Sequence, residues 1–230
     1  MLDLLLAKPI DPLKSTLLSC CSKIICNGCD YADSMSSKGV ISCPFCREPL
    51  VSEEECVRRT IKRVKANNDP AASCFMGMQC RSKGDYDSAF EYFTKAAELG
   101  EAEAHFNLGW MYEKGEGGVE KDMNKAVHHY AEAAIGGHPR ARYNLGCLEG
   151  NAGSHDRAAK HFIIAAKQGH DAALEKVKKI FTLFKEEELV SKDEYAAALR
   201  GHQAAIDATK SELREVAAEQ AAQKEADKAS

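Results

Sequence analysis

Six cysteines near the start of the chain are the side chains with the clearest chemical role. They are Cys20, Cys21, Cys26, Cys29, Cys43 and Cys46. Two pairs have two intervening residues, in the segments Cys26-Asn27-Gly28-Cys29 and Cys43-Pro44-Phe45-Cys46. This spacing lets one tight turn direct both thiolates at a single tetrahedral metal ion. The pattern therefore predicts that the first part of the chain binds Zn²⁺ through these six cysteines.

Two ways of completing such a zinc site are open. The four cysteines of the two pairs would hold one ion by themselves, as in a zinc ribbon, because the separation of the pairs is close to the usual one. Alternatively, further ligands precede Met1 in a longer chain. The second arrangement is favoured, because the segment Pro9-Ile10-Asp11-Pro12 is typical of the interior of a finger loop.

The order of the cysteines also resembles the second half of a RING finger, a domain that binds two Zn²⁺ ions in a cross-braced arrangement. The resemblance implies that Cys21 is the third ligand of the finger. The pair Cys26 and Cys29 would supply ligands five and six. The pair Cys43 and Cys46 would supply ligands seven and eight.

Neighbouring residues both strengthen and limit this resemblance. Pro44 lies between the last two ligands, where RING fingers prefer proline. Arg47 follows them, where ubiquitin ligases often keep a basic residue that positions the ubiquitin conjugate. Lys23 stands at the fourth ligand position, and an ammonium group has no lone pair for a metal. No cysteine precedes Cys20, so the finger is interpreted as truncated at ligands one and two.

The rest of the chain repeats itself. Three units close at Gly100, Gly137 and Gly169, and a glycine suits the left-handed residue after a helix. Pro70 and Pro139 occupy equivalent positions and suit the first turn of a helix, where the missing N–H costs nothing. The pattern therefore predicts two antiparallel helices in each unit, and stacking of the units creates a continuous core.

Small residues and aromatic residues also recur at equivalent positions of the three units. The glycines are Gly77, Gly109 and Gly146. The aromatic residues are Phe93, Tyr130 and Phe162. We expect the small residues to let helices approach closely and the rings to fill the matching gaps, so both sets serve packing.

The units resemble the Sel-one-like repeat, a relative of the tetratricopeptide repeat. The second unit matches the family pattern at Ala104, Leu108-Gly109, Tyr112, Gly115, Gly118-Val119, Asp122, Lys125-Ala126, Ala133-Ala134 and Gly137. The resemblance covers about residues 69 to 170, and a degenerate unit follows from Asp171. It implies a scaffold that binds other proteins on a curved surface and has no catalytic residues of its own.

The predicted fold is mainly α, an α-solenoid of helix-turn-helix repeats with a small N-terminal zinc-binding RING-like fragment. The chain also resembles a set of predicted algal proteins that join such a finger to such repeats, in segments that include Cys20-Cys21-Ser22-Lys23 and His161-Phe162-Ile163-Ile164-Ala165-Ala166. The predicted domains are a truncated RING-like zinc finger at 1–51, a connecting helix at 52–68, Sel-one-like repeats with a degenerate C-terminal unit at 69–200, and a helical or disordered tail at 201–230.

Composition restricts the partners and the compartment. A net charge of −4 gives no support for nucleic acid as the main partner, because such binders usually carry a basic face. No run of residues approaches the length of a membrane span, so no membrane contact is expected. Ten cysteines without a secretory signal favour reduced thiols that bind metal, which predicts a cytoplasmic or nuclear protein.

The eight histidines are interpreted as surface residues. His128 and His129 are adjacent, and adjacent side chains on a helix point about 100° apart. No spacing between these and the other histidines or cysteines is typical of a second metal site. No Ser-His-Asp or Cys-His arrangement suggests a nucleophile with its base.

These observations favour a non-enzymatic interaction scaffold. Its partner is predicted to be a protein or peptide segment in a groove lined by the first helix of each unit, near Asn107, Met111, Arg142 and Asn144. The alternative is a RING-type ubiquitin ligase. In that case the finger, with Pro44 and Arg47, would recruit a ubiquitin-conjugating enzyme and the repeats would select the substrate.

Overall fold

The computed structural model describes the backbone at residues 15–18, 23–26, 53–67, 69–183 and 189–208. Side chains are described at residues 57–66, 69–183 and 189–208. The fold is mainly helical, as predicted. None of the helices in these ranges is both long enough and apolar enough to cross a membrane.

The chain divides into two compact units. The first comprises residues 1–76 with 209–230, and the second comprises residues 77–208. The first unit contains an antiparallel pair of strands, β1 (Ser15–Leu18) and β2 (Lys23–Cys26), in which Ser15 lies opposite Cys26. It also contains helix α1 (Glu53–Asn67), which is followed by Asp69, whose side chain accepts from Arg63 at 2.7 Å.

The predicted zinc site falls on residues that the structure does not describe. The backbone of Cys26 ends β2, but its side chain lies outside the described residues. The other predicted finger residues lie outside the described residues with both backbone and side chain. They are Cys20, Cys21, Cys29, Cys43, Pro44, Cys46 and Arg47. Zinc binding therefore stays a prediction.

The second unit is a succession of helices of nearly equal length. They follow the helix α2, which begins in the first unit. The bounds are α2 (Pro70–Ser82), α3 (Tyr86–Glu98), α4 (Ala102–Lys114), α5 (Met123–Ile135), α6 (Pro139–Asn151), α7 (His155–Lys167), α8 (Asp171–Leu183) and α9 (Lys192–Asp207). Consecutive helices from α3 to α9 pack on each other, and α9 also packs on α7. This arrangement is the predicted stack of helical hairpins.

Short polar and glycine signals set the helix boundaries. Asp122 caps α5 by accepting from the N–H groups of the next turn, and Ser191 forms a capping box with Glu194 at the start of α9. The closing residues of the three predicted units all have a left-handed backbone. Their φ angles are 82° at Gly100, 84° at Gly137 and 88° at Gly169. The domain boundary predicted at residue 200 falls inside α9.

Each hairpin is held by a ring that lies on a glycine. A Cβ atom placed on Gly109 would stand 2.7 Å from the ring of Tyr130, and one on Gly146 would stand 2.7 Å from the ring of Phe162. Gly77 and Phe93 repeat this contact at the same 2.7 Å. Tyr130 and Phe93 are fully buried. The expectation that aromatic residues fill the gaps left by small residues is confirmed.

We predict that Gly109→Ala lowers the free energy of unfolding by about 1–3 kcal/mol, because its methyl group would overpack the Tyr130 ring. The matched control is Gly150→Ala in α6, where the new Cβ would meet only the Ala158 methyl group at an ordinary 3.7 Å. That control gains helix propensity and should be neutral or stabilising. Urea unfolding followed by circular dichroism measures both; an equal loss in the two variants would contradict the prediction.

Candidate partner-binding face

The structure separates the four residues predicted to contact a partner into two classes. Asn107 is 4% exposed and Met111 is 0% exposed, whereas Arg142 and Asn144 are half-buried. The side chains of Asn107 and Met111 are covered in the structure, so a partner has no access to them. This position corrects the prediction for these two residues, whose role is packing.

Asn107 belongs to a polar cluster that joins consecutive repeats. Arg81, near the end of α2, donates to the Asn107 side-chain oxygen at 3.1 Å, and Asn107 donates in turn to the Glu103 carbonyl at 2.8 Å. The Arg81 guanidinium also lies 3.2 Å from the Glu116 carboxylate. Burial of Asn107 is tolerated because both ends of its amide have partners.

The next junction has a histidine at its centre. The Nδ1 of His138 accepts from the Ala141 N–H at 3.1 Å, so the neutral ring carries its proton on Nε2 and donates to Glu103 at 2.9 Å. The ring stacks on Phe106 with centroids 4.4 Å apart. Burial by itself would raise the pKa of Glu103, but the hydrogen bond from His138, the positive charge of Arg140 and the hydrogen bond from Asn107 lower it.

The prediction that the histidines are surface residues is wrong for His138 and His202. The side chain of His138 is 9% exposed, and His202 is 7% exposed and lies 2.9 Å from an Asp171 carboxylate oxygen. The sequence does carry a signal for His138, since it directly precedes Pro139 and therefore occupies a capping position. No comparable pattern marks His202, because its partner lies in a different helix.

Tyr130 links the second and third units from inside the core. Its hydroxyl donates to the Glu113 carboxylate at 2.8 Å and also bonds to the Asn144 side chain. Burial and the Glu113 contact raise the pKa of Tyr130, so the phenol stays neutral. Asn144 therefore has one structural bond while part of its side chain remains accessible.

Arg142 supports the end of a neighbouring helix. Its guanidinium donates to the Ala134 carbonyl at 2.9 Å, in the last turn of α5, where backbone acceptors lack helical partners. Its Nε is buried without a hydrogen-bond partner. Arg142 is thus tied to the fold, and a contact with a partner would have to use the remainder of the group.

Helical spacing on α4 and α6 shows which residues lie on the same side as Asn107 and Asn144, and burial shows which of these are accessible. Positions three, four and seven residues after Asn107 and after Asn144 share one side of their helices. We define the first-helix face as the accessible members of these two sets, which are Trp110, Lys114, Asn144, Cys147, Leu148 and Asn151. Lys114 lies over the Trp110 ring at 4.8 Å and also pairs with the Glu113 carboxylate at 2.6 Å.

A separate shallow cavity of about 330 Å³ lies beside the loop that distinguishes the second unit. It is lined by Asp87, Phe90, Glu91, Gly117, Gly118 and Val119. Its two carboxylates and its aromatic ring suit a basic side chain. Within the residues whose side chains are described, no group of three or more His, Cys, Asp or Glu residues stands close enough to hold a metal.

Comparison with known sequences identifies the repeats. Residues 70–101, 102–138 and 139–170 match the Sel1 repeat. Chitin synthase regulatory factor 4 of Schizosaccharomyces pombe is 30% identical over 97 residues, which are 42% of this chain and 15% of that protein. DAP3-binding cell death enhancer 1 of Rattus norvegicus is 43% identical over 53 residues, 23% of this chain and 10% of that protein. The chain thus spans only a small part of these curated relatives.

Solved structures show the same fold. A Sel1 repeat protein from Oxalobacter formigenes superposes with a TM-score of 0.57 at 25% identity, over 79% of this chain and 72% of that one. A protective antigen of uropathogenic Escherichia coli with an SLR fold gives a TM-score of 0.55 at 22% identity, over 66% of this chain and 33% of that one. Residues 70–170 therefore contain three repeats similar to the Sel1 repeat, and they share the fold of these solved structures.

We predict that the stabilising effect of Glu103 depends on pH. The folded state lowers the pKa of this carboxyl group below its ordinary value of 4.5, so its contribution is present at neutral pH and is lost as the pH falls through the lowered pKa. Glu103→Gln should cost about 1 kcal/mol of unfolding free energy at pH 7, and the cost should shrink as the pH falls from about 5 to about 3.

The control for this prediction is Glu98→Gln, which changes an exposed carboxyl group at the end of α3. Urea unfolding of both variants and of the wild type is measured across the pH range. A cost for Glu103→Gln that stays constant with pH, or that Glu98→Gln shares, would contradict the assignment.

Proposed function

We propose that this repeat protein is an interaction scaffold that holds an extended segment of a partner protein on its first-helix face. The observation that carries the proposal is the composition of that face. Trp110 and Leu148 offer apolar surface, while Asn144 and Asn151 each carry an amide donor and acceptor for the backbone of an extended segment. One matched relative is named for binding a protein, DAP3, which is consistent with such a role.

The first-helix face suits a partner because the repeats hold it rigidly. Tyr130 positions Asn144 through a buried hydrogen bond, and Lys114 is held over the Trp110 ring. A preorganised surface loses little conformational freedom on binding. The cluster of Arg81, Asn107 and Glu103 holds the neighbouring repeats in a fixed relation and so supports the face from inside.

We predict that a double variant, Trp110→Ala with Lys114→Glu, weakens binding of a purified partner by more than about tenfold, because an aromatic anchor and its covering charge are both lost. The partner is first identified with the wild-type chain. The matched control is Lys160→Glu, an exposed charge reversal on α7, outside the face. Calorimetric titration measures both affinities, and circular dichroism checks the fold. Equal affinities for wild type and double variant would exclude the face.

A structural zinc site in the cysteine-rich segment is the second part of the proposal. The support is the spacing of Cys26 with Cys29 and of Cys43 with Cys46, to which Cys20 and Cys21 add two further thiolates. Zinc binding contributes on the order of 10 kcal/mol to folding of small domains. Thiolate ligands require a reducing compartment, so we place the protein in the cytoplasm or the nucleus.

A RING-type ubiquitin ligase is the alternative function. The observation that favours it is the RING-like order of the cysteines, with Pro44 between the last pair and Arg47 after it. Such a finger contributes no nucleophile and acts by holding a loaded ubiquitin-conjugating enzyme in a reactive pose. The scaffold is preferred because the repeats are identified in this chain, whereas zinc binding by the cysteines is a prediction.

We predict one Zn²⁺ per chain, measured by native mass spectrometry with and without a chelator, because the available cysteines suffice for one complete tetrahedral site. Cys43→Ser should reduce the zinc content, while Cys147→Ser, which changes a half-buried cysteine of α6, should leave it unchanged. Two ions per chain that both require the cysteines would favour the ligase. No zinc in the wild type would remove both the zinc site and the ligase, and would leave the repeats as the working surface.

A further inference from the structure

Two histidines that are far apart in sequence meet inside the second repeat. His105 lies in α4 and His129 lies in α5, and their Nδ1 atoms are 3.1 Å apart. We call them the histidine pair. Both side chains are half-buried, so one side of the pair remains open to water. The Tyr112 ring stacks almost parallel on His129, with centroids 5.6 Å apart and an interplanar angle of 4°.

The geometry points to a site for a divalent transition metal ion, such as Ni²⁺ or Zn²⁺, bound by the Nδ1 atoms of His105 and His129 with water completing the coordination. Two nitrogen ligands at about 2.1 Å from one ion lie about 3.0 Å apart at a right angle and about 3.4 Å apart in a tetrahedron. The observed 3.1 Å falls between these values. Rotation of each ring about χ2, which is a soft torsion, turns both lone pairs toward the ion.

The surroundings hold the pair in the state that binds metal. Burial, together with the neighbouring charges of His105, His128 and Lys125, lowers the pKa of His129 to about 4. Burial also lowers the pKa of His105, although the Glu132 carboxylate partly opposes this. Both imidazoles are therefore neutral at pH 7, and protons do not compete with the ion.

The tautomers are also compatible with metal binding. His105 hydrogen-bonds to the Ala97 carbonyl, which only accepts, so one ring nitrogen carries a proton and the other offers a lone pair. A metal-binding histidine commonly donates its second N–H to a backbone carbonyl in this way. On binding, the proton shared between the two Nδ1 atoms moves to Nε2 of its own ring, so no net proton is released.

The third repeat provides an internal comparison. Arg142 and His161 occupy the positions equivalent to His105 and His129, and Arg142 donates to the Ala134 carbonyl just as His105 bonds to Ala97. The backbone framework is therefore the same in both repeats. The third repeat has an arginine where the second has a ligand. Of these two repeats, only the second therefore has the metal site.

The test is a calorimetric Ni²⁺ titration of the full chain, first loaded with Zn²⁺ and dialysed so that its cysteines are equivalent in all variants. We expect one Ni²⁺ in the wild type that is weakened by more than about tenfold in His105→Gln and His129→Gln. His161→Gln, the matched control, should keep it. No such Ni²⁺ in the wild type, or an equal loss in the control, would overturn the site.

A gain-of-site variant decides the matter if the glutamine variants fail to fold. Arg142→His places an imidazole opposite His161 on the same framework, and its ring can donate to the Ala134 carbonyl as His105 does to Ala97. We expect this variant to bind a second Ni²⁺ by native mass spectrometry. A folded Arg142→His chain with the wild-type nickel content would overturn the proposal.

Discussion

The structure of the repeats depends on one steric constraint, the absence of a side chain where an aromatic ring crosses the first helix of each hairpin. The rings of Phe93, Tyr130 and Phe162 lie 2.7 Å from the points where Cβ atoms on Gly77, Gly109 and Gly146 would be. Close packing of this kind sets the distance between the two helices and leaves no freedom for the register of one on the other. All other contacts of a hairpin are built on that fixed register.

The polar contacts between hairpins follow from the same register. Tyr130 can reach Glu113 and Asn144 only because its ring is seated on Gly109, which aims the hydroxyl between two first helices. His138 combines three tasks, since it caps α6, bonds to Glu103 and stacks on Phe106. Buried polar groups with complete partners make one arrangement of neighbouring repeats preferable to others. These contacts therefore also hold the residues of the first-helix face in fixed relative positions.

Fixed positions in a repeat framework can carry different chemistry in successive repeats. The site between the two helices of a hairpin holds a histidine pair in the second repeat and Arg142 with His161 in the third, and both sets bond to the end of the preceding helix. A scaffold that already orients two side chains needs one substitution to gain or lose a metal ligand. Because a single substitution suffices, the proposed metal site and the scaffold can coexist on one hairpin without disturbing its packing.

The sequence by itself determined the repeats, the helix starts at Pro70 and Pro139, the closing glycines and the pairing of rings with small residues. These features depend on local backbone preferences and on a period that is visible along the chain. The tertiary structure decided which residues are accessible. Asn107 and Met111 share a helix side with Trp110 and Lys114, yet only the latter two are accessible. Asn107 is covered where Arg81 of the preceding repeat bonds to it. The tertiary structure also decided that His105 and His129 meet, since a contact between two helices depends on their relative rotation, which no short spacing encodes.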